Sequence, residues 1–229
     1  RTLTVGSPAV TATLAGPISG SASVGLTKGG NGILKLSSPG NAYTGATTVS
    51  AGLLQMGVAN ALPLAGAVSL GSSGMLDVAG FATTTGALTG SGLIANSGAA
   101  ATLTINNVSA NTFSGQFAQG TNVLNVSKLG AGELTLSGLN TATGTLTIGQ
   151  GNVTLSGAAG SAAFATTINS GGTLTIDNST YLTNRLQGKN LTIQGGTFVY
   201  GGNGASAASE TIGTLTAQIG AGLIILNGG

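Results

Sequence analysis

The chain has 229 residues, of which 42 are glycine; 41% are apolar, only 4% are charged, the formal net charge is +2, and there is no Cys, His or Trp. Without His or Cys, a Ser-His-Asp triad, a Cys-His pair, a histidine metal site and a disulfide framework are all excluded. The six basic residues (Arg1, Lys28, Lys35, Lys128, Arg185 and Lys189) are scattered with no interleaved aromatics, and read as a few solvated charges rather than a nucleic-acid footprint.

No run of about 18 apolar residues offers a transmembrane helix. The opening RTLTVGSPAV lacks the layout of a signal peptide, so a leader has been removed or the chain is an excerpt. Thr2–Val5 and Val10–Leu14 read as strands, with Pro8 and Pro17 at the breaks, and make one or two coils.

From Lys28 onward the text returns on itself. KGGNGILKLS at Lys28–Ser37 matches KLGAGELTLS at Lys128–Ser137. After a one-residue slip, Asn41, Thr44, Gly45, Thr48, Val49 and Gly52 fall on Asn140, Thr143, Gly144, Thr147, Ile148 and Gly151. Within Ser127–Gly157, the runs Glu133–Ser137, Thr145–Ile148 and Asn152–Ser156 alternate apolar and hydroxyl residues. A period of two sends Leu134 and Leu136 to one face and Thr135 to the other, as in a half-buried strand. Gly132, Gly144, Gly149 and Gly151 are expected to turn the corners by taking φ > 0.

A strand, a glycine turn and a second strand then recur to the end. The pairs are Thr47–Val49 with Leu53–Met56, Ala67–Leu70 with Met75–Val78, Gly86–Thr89 with Gly92–Ala95, Thr145–Ile148 with Asn152–Leu155, Thr166–Asn169 with Thr173–Ile176, Asn190–Ile193 with Thr197–Tyr200, and Thr214–Ala217 with Gly222–Asn227. Between Ala95 and Thr145 the phrase loosens to strands at Thr102–Ile105, Asn122–Ser127 and Glu133–Ser137. The anchors Val49, Val68, Leu88, Leu103, Val126, Ile148, Ile168, Ile193 and Leu215 are 15 to 25 residues apart. A phrase returning about every 20 residues with no helical period marks a solenoid, and the expectation is one all-β domain over residues 1–229, a parallel β-helix of about eleven coils roughly 50 Å long. Loops are expected at Ser37–Ala46, Asn106–Phe113, Gly157–Phe164, Asn178–Asn190 and Gly201–Ser209, the last the most mobile. The final run Gly222–Asn227 reads as another core strand with no polar cap, which leaves an open pairing edge.

The combination Lys28–Ser37, Asn41-Ala42-Tyr43-Thr44-Gly45, Thr48-Val49, Gly52 with Leu53 and Leu54, and Ala59-Asn60-Ala61-Leu62-Pro63 resembles the autotransporter-associated β-strand repeat, also called the passenger-associated transport repeat. The stretch Asn111-Thr112-Phe113-Ser114-Gly115 matches too and leads into the second copy at Lys128; there Ala142 stands where the pattern has the aromatic of Tyr43. The resemblance is clear over about Leu26–Gly157. It implies a right-handed β-helix in the passenger of a secreted or surface-displayed bacterial protein, acting as stalk, matrix component or adhesin. The amphipathic segments of a translocator barrel are absent from this chain.

Chemistry finds little to work with. The four carboxylates are Asp77, Glu133, Asp177 and Glu210. Asp77 and Asp177 are expected about five coils apart, roughly 24 Å, against the 5–10 Å or so of a glycosidase pair. Glu133 and Asp177 are about two coils apart and approach that range only if they share a face; exposed charge is the simpler reading of all four. No G-G-x-G-x-D calcium repeat exists. Gly29-Gly30-Asn31-Gly32 and Gly201-Gly202-Asn203-Gly204 precede no helix, and so are corners rather than phosphate loops. Asn107, Asn125, Asn152, Asn178 and Asn190 stand in N-x-S/T sequons, and Tyr43, Phe113, Tyr181 and Tyr200 read as coil packing. No catalytic, cofactor-binding or metal-binding residue is assigned. The expected function is a non-enzymatic extracellular rod that associates with itself end to end or laterally. The alternative is an adhesin module presenting Thr/Asn-rich loops to glycans or cell surfaces. A carbohydrate-active enzyme ranks last.

Overall fold

A strand with one apolar side cannot be stable alone, and stacking identical coils buries that side continuously. A computed structural model of the chain describes residues 2–20, 23–179, 184–203, 207–218 and 220–228. Among them no helix forms, and the ladders between strands are parallel. The result is a parallel β-solenoid, consistent with a right-handed β-helix of ten to eleven coils.

Three sides are distinguishable. Face 1 is a continuous path of eleven strands: Thr2–Thr4, Leu26–Gly29, Thr47–Met56, Val68–Asp77, Leu88–Gly90, Asn111–Phe113, Glu133–Leu136, Gly151–Leu155, Gly172–Asp177, Thr197–Gly201 and Leu223–Asn227. Face 2 has seven strands: Thr83–Thr85, Ala101–Ile105, Leu124–Lys128, Thr145–Ile148, Ala165–Asn169, Leu191–Gln194 and Leu215–Ala217. Face 3 carries short strands: Thr11–Leu14 on Ile33–Leu36 near the start, Leu93–Ala95 on Gln116–Phe117, and Leu139–Asn140 on Ser161–Ala162. The core is the space between the faces, where Ile148, Ile168 and Ile193 stack in register. Phe113, Phe117 and Phe164 fill one stretch of it, with ring centroids 5.3 Å and 6.1 Å apart.

Four expectations need correction. The pairs Thr47–Val49 with Leu53–Met56 and Ala67–Leu70 with Met75–Val78 are each one ten-residue strand. The glycine corner persists within the first of them, where Gly52 takes a positive φ, and the register between the two strands shifts between Val49 and Ala51. The expected loops at 106–113 and 157–164 contain the strands Asn111–Phe113 and Ser161–Ala162. These strands are two or three residues long, too short to show a period. The expected loops at 178–190 and 201–209 fall partly outside the described residues.

The series of anchors also crosses faces. Val49, Val68 and Leu88 belong to face 1, whereas Leu103, Val126, Ile148, Ile168, Ile193 and Leu215 belong to face 2. The separation of 15 residues between Leu88 and Leu103 is this change of side. The two repeat copies differ in the same way. Leu26–Gly29 and Ile33–Leu36 of the first lie on faces 1 and 3, whereas Leu124–Lys128 and Glu133–Leu136 of the second lie on faces 2 and 1. The repeat therefore specifies a corner and its flanking strands, not a fixed side of the rod.

The glycines at those corners work by two mechanisms. Gly151 and its counterpart Gly52 take φ of +69° and +68°, where only glycine is unstrained. Gly149 does not take positive φ, and neither do Gly132 and Gly144, contrary to expectation. Gly132 and Gly144 are glycine because a Cβ would lie 2.4 Å from Ser109 O and 2.2 Å from Leu124 O of the preceding coil.

Candidate functional site

The repeat lysines were read as solvated, but both are fully buried. In Leu26-Thr27-Lys28 the strand alternation directs Thr27 outward and Lys28 inward. Lys28 stacks between Leu3 and Val49, and Lys128 between Ile105 and Ile148. The methylene stem thus continues an apolar column while the ammonium reaches the corner. Lys28 Nζ donates to Gly29 O (2.8 Å) and Gly30 O (2.7 Å) of its own corner and to Ala51 O (3.0 Å) of the next coil. Lys128 Nζ repeats this with Gly130 O and, at 3.4 Å, with Gln150 O. Each lysine staples two successive corners. Burial lowers the pKa of Lys28 and pushes that of Lys128 down to about 8.

The matched asparagines span three coils. Asn41 Oδ1 accepts from Ile18 N (2.6 Å), while its Nδ2 donates to Ser38 O and Ala61 O (2.9 and 2.7 Å). Asn140 accepts from Phe117 N (2.9 Å) and donates to Gly138 O and Ser161 O (3.1 and 2.8 Å). Asn96 plays the same part between Gly80 N and Val123 O. Of the sequon residues, Asn107 and Asn178 are buried, and Asn125 holds Thr145 of the next coil. Tyr43 is buried with its hydroxyl 2.6 Å from Thr47 Oγ1, and Phe113 is buried, so both pack the coils as expected. Ala142, in place of the aromatic, is itself buried; its N–H donates to Phe117 O beside the Phe117–Phe164 contact. Tyr200 is half-buried, and Tyr181 lies outside the described residues.

The carboxylates also hold the chain to itself and are not simply exposed charge. Asp77 is buried and accepts from Gln55 Nε2, Ala79 N, Ser97 N and Ser97 Oγ at 2.6 to 2.9 Å. Burial alone would raise its pKa, but these hydrogen bonds, led by Ser97 and Gln55, outweigh burial and leave it lowered. Glu133 receives Thr154 Oγ1 and Asn152 Nδ2. Asp177 accepts from Ser179 N (3.0 Å). Glu210 caps Arg185 N and Leu186 N at 2.8 Å each, and burial, the largest influence on it, raises its pKa. Arg185, read as solvated, is fully buried and donates to Asn178 Oδ1 and to the carbonyls of Gly157 and Gly160. Glu133 and Asp177 do share face 1 but stand in different columns: Glu133 stacks on Asn152 and Thr173, whereas Asp177 stacks against Gly201. Four residues and two coils separate them, roughly 16 Å.

The outward residues form hydroxyl columns. On face 2 the register runs Thr84, Thr104, Ser127, Thr147, Thr167, Thr192 and Thr216 without interruption. On face 1, Thr2, Thr27, Thr48 and Ser69 stack in the same way, as do Thr112, Thr135, Thr154 and Thr175 further along.

The family model described as passenger-associated-transport-repeat matches residues 26–56 and 126–155. No curated protein and no solved structure matches the chain significantly. Those two stretches contain Lys28 with its acceptor Ala51 and Lys128 with its acceptor Gln150. The matched sequence is therefore the stapled corner itself, and residues 26–56 and 126–155 are two stretches similar to the passenger-associated transport repeat within one parallel β-solenoid.

Proposed function

We propose that this chain is the structural shaft of an autotransporter-like passenger: a non-enzymatic, extracellular rod whose coils hold one another in line. One observation carries the reading. The fully buried cations Lys28, Lys128 and Arg185 bond backbone carbonyls at the coil corners, and the buried Asp77 ties its coil to those on either side, so the polar chemistry of the interior joins coil to coil. A catalytic centre needs such groups to converge on a cleft.

The rod associates end to end in this reading. The strand Leu223–Asn227 pairs on one edge with Thr197–Gly201, and Leu223, Ile224 and Leu226 are 51%, 45% and 72% exposed. An apolar open edge is a template for a further coil, supplied in this reading by a second copy. The adhesin alternative draws less support, because Asn41, Asn96, Asn107, Asn140 and Asn178 are buried between coils and unavailable to a glycan. Electron microscopy over a concentration series tests the association. Filaments that lengthen with concentration, and that Ile224→Lys abolishes, are expected; separate rods at every concentration would count against it.

A further inference from the structure

We infer that the shaft carries a hinge: between the coil at 83–95 and the coil at 101–117 the stack opens transiently on one side before it unfolds elsewhere. The corners of these two coils differ in length. The first is Gly86-Ala87 alone, between Thr83–Thr85 and Leu88–Gly90, whereas the second runs from Asn106 to Ala110. The longer corner overhangs the shorter, and Val108 in its middle is 83% exposed. Under the overhang lies a notch of about 220 Å³, lined from the earlier coils by Ala67, Gly86 and Ala87 and from the later one by Asn107, Val108 and Asn111. The corners before and after this boundary are tight. A Cβ on Gly86 would strike Ala65 O of the coil before, and one on Gly130 would strike Asn107 O.

Two side chains at the notch are left unsatisfied. Asn107 Nδ2 donates to Ser109 O (2.8 Å) and to Glu133 O of the next coil (2.7 Å), as the other coil-spanning asparagines do. Asn41, Asn96 and Asn140 each also accept an N–H of the preceding coil, from Ile18, Gly80 and Phe117. Asn107 Oδ1 is buried with no partner among the described residues: no N–H of the short Gly86-Ala87 corner bonds to it. Asn111 Oδ1 is in the same state, although Asn111 stacks on Leu134 in an inward column. A buried amide oxygen without a donor weakens the packing that encloses it. The face 1 ladder is also thin here. Asn111–Phe113 meets Leu88–Gly90 in register only at Phe113 and Gly90, whereas Val68–Leu70 before it and Leu134–Leu136 after it pair over three residues.

The opposite side of the same boundary is fastened. Gln116 and Phe117 pair with Leu93 and Ile94, Ala118 N donates to Ile94 O (2.9 Å), and Asn96 Nδ2 reaches Val123 O (2.8 Å). The lysine staples, Lys28 with Ala51 and Lys128 with Gln150, lie on either side of the boundary and not across it. A stack of coils opens where its nearest-neighbour contact is weakest. With one side open and the other fastened, that opening is a bend rather than a break.

The inference is independent of end-to-end association. The test is amide hydrogen exchange of the full chain over a urea series, comparing equivalent positions at two boundaries. Asn106 N and Ser114 N, bonded to Thr85 O and Gly90 O, bridge the notched boundary; Leu129 N and Ser137 N, bonded to Ile105 O and Phe113 O, hold the same positions one coil on. Protection at Asn106 and Ser114 should be at least about tenfold lower than at Leu129 and Ser137, and insensitive to low urea, because a local opening exposes little surface. Ala118, on the fastened side, should be as protected as Ser137. Asn111→Leu removes the unsatisfied amide and should raise protection at Ser114 about tenfold while leaving Ser137 unchanged. Equal protection at the two boundaries of the wild type, which no variant is needed to measure, would overturn the inference. So would an Ala118 that exchanges as fast as Ser114, since the coils would then separate completely, or an Asn111→Leu chain in which Ser114 exchanges as before.

Discussion

A lysine inside an apolar column is stable only if its stem packs and its ammonium finds acceptors, and Lys128 has both. Lys128→Ala removes buried stem volume and strands the carbonyls at the corner, a loss of about 3 kcal/mol; the shift of its urea midpoint checks this. Its pH dependence has a definite sign. With the folded pKa pushed down to about 8 from 10.5, the unfolded chain binds more protons between those values, so stability rises with pH across that window. Tyr43 opposes this at the upper end: burial outweighs its hydrogen bond to Thr47 and raises its pKa, so its contribution is lost above about pH 10. Between about pH 7.5 and 9.5 the wild type should therefore gain stability relative to Lys128→Met; a flat difference would mean that the ammonium is not buried as described. Asn140→Ala leaves Phe117 N–H and two carbonyls without their partner, a cost of about 2 kcal/mol. It should also speed amide exchange at Phe117, more than at the distant Leu191.

Among the elements, the corners tolerate least. A Cβ on Gly90, where φ is +100°, would lie 2.0 Å from Leu70 O, whereas one on Gly6 meets nothing within 4 Å. Gly90→Ala should lower stability by at least about 2 kcal/mol, and Gly6→Ala by a few tenths at most; melting curves of the two variants make the comparison. The strands themselves were legible in the sequence wherever alternation ran for four residues, as in Glu133–Leu136 and Thr145–Ile148. Shorter pieces such as Gln116–Phe117 were not, because two residues carry no period. The inward lysines were written in the same alternation, Leu26-Thr27-Lys28, but a charged residue read as solvated hid them. No one-dimensional signal showed that Gly132 answers to Ser109 of the coil before it, since that contact exists only once the coils stack.

For the whole molecule, the spacing of the anchors was enough to give a solenoid and its number of coils, but not which side each anchor occupies. A list of recurring residues cannot tell one column from two adjacent ones, and the step from Leu88 to Leu103 falls at that change. Function follows from the stack: stability adds coil by coil, and a rod held by stapled corners needs neither a globular core nor a disulfide. All of this depends on the axial register, including the hydroxyl column of face 2. Because the chain has no cysteine, spin labels can be attached uniquely at cysteines replacing Thr84 and Thr216, the two ends of that column. Six coil steps lie between them. At ~4.8 Å per coil, the electron–electron distance should be a single peak near 29 Å, broadened by the label arms. A peak far from that value, or no defined peak, would contradict the stacked solenoid and everything built on it.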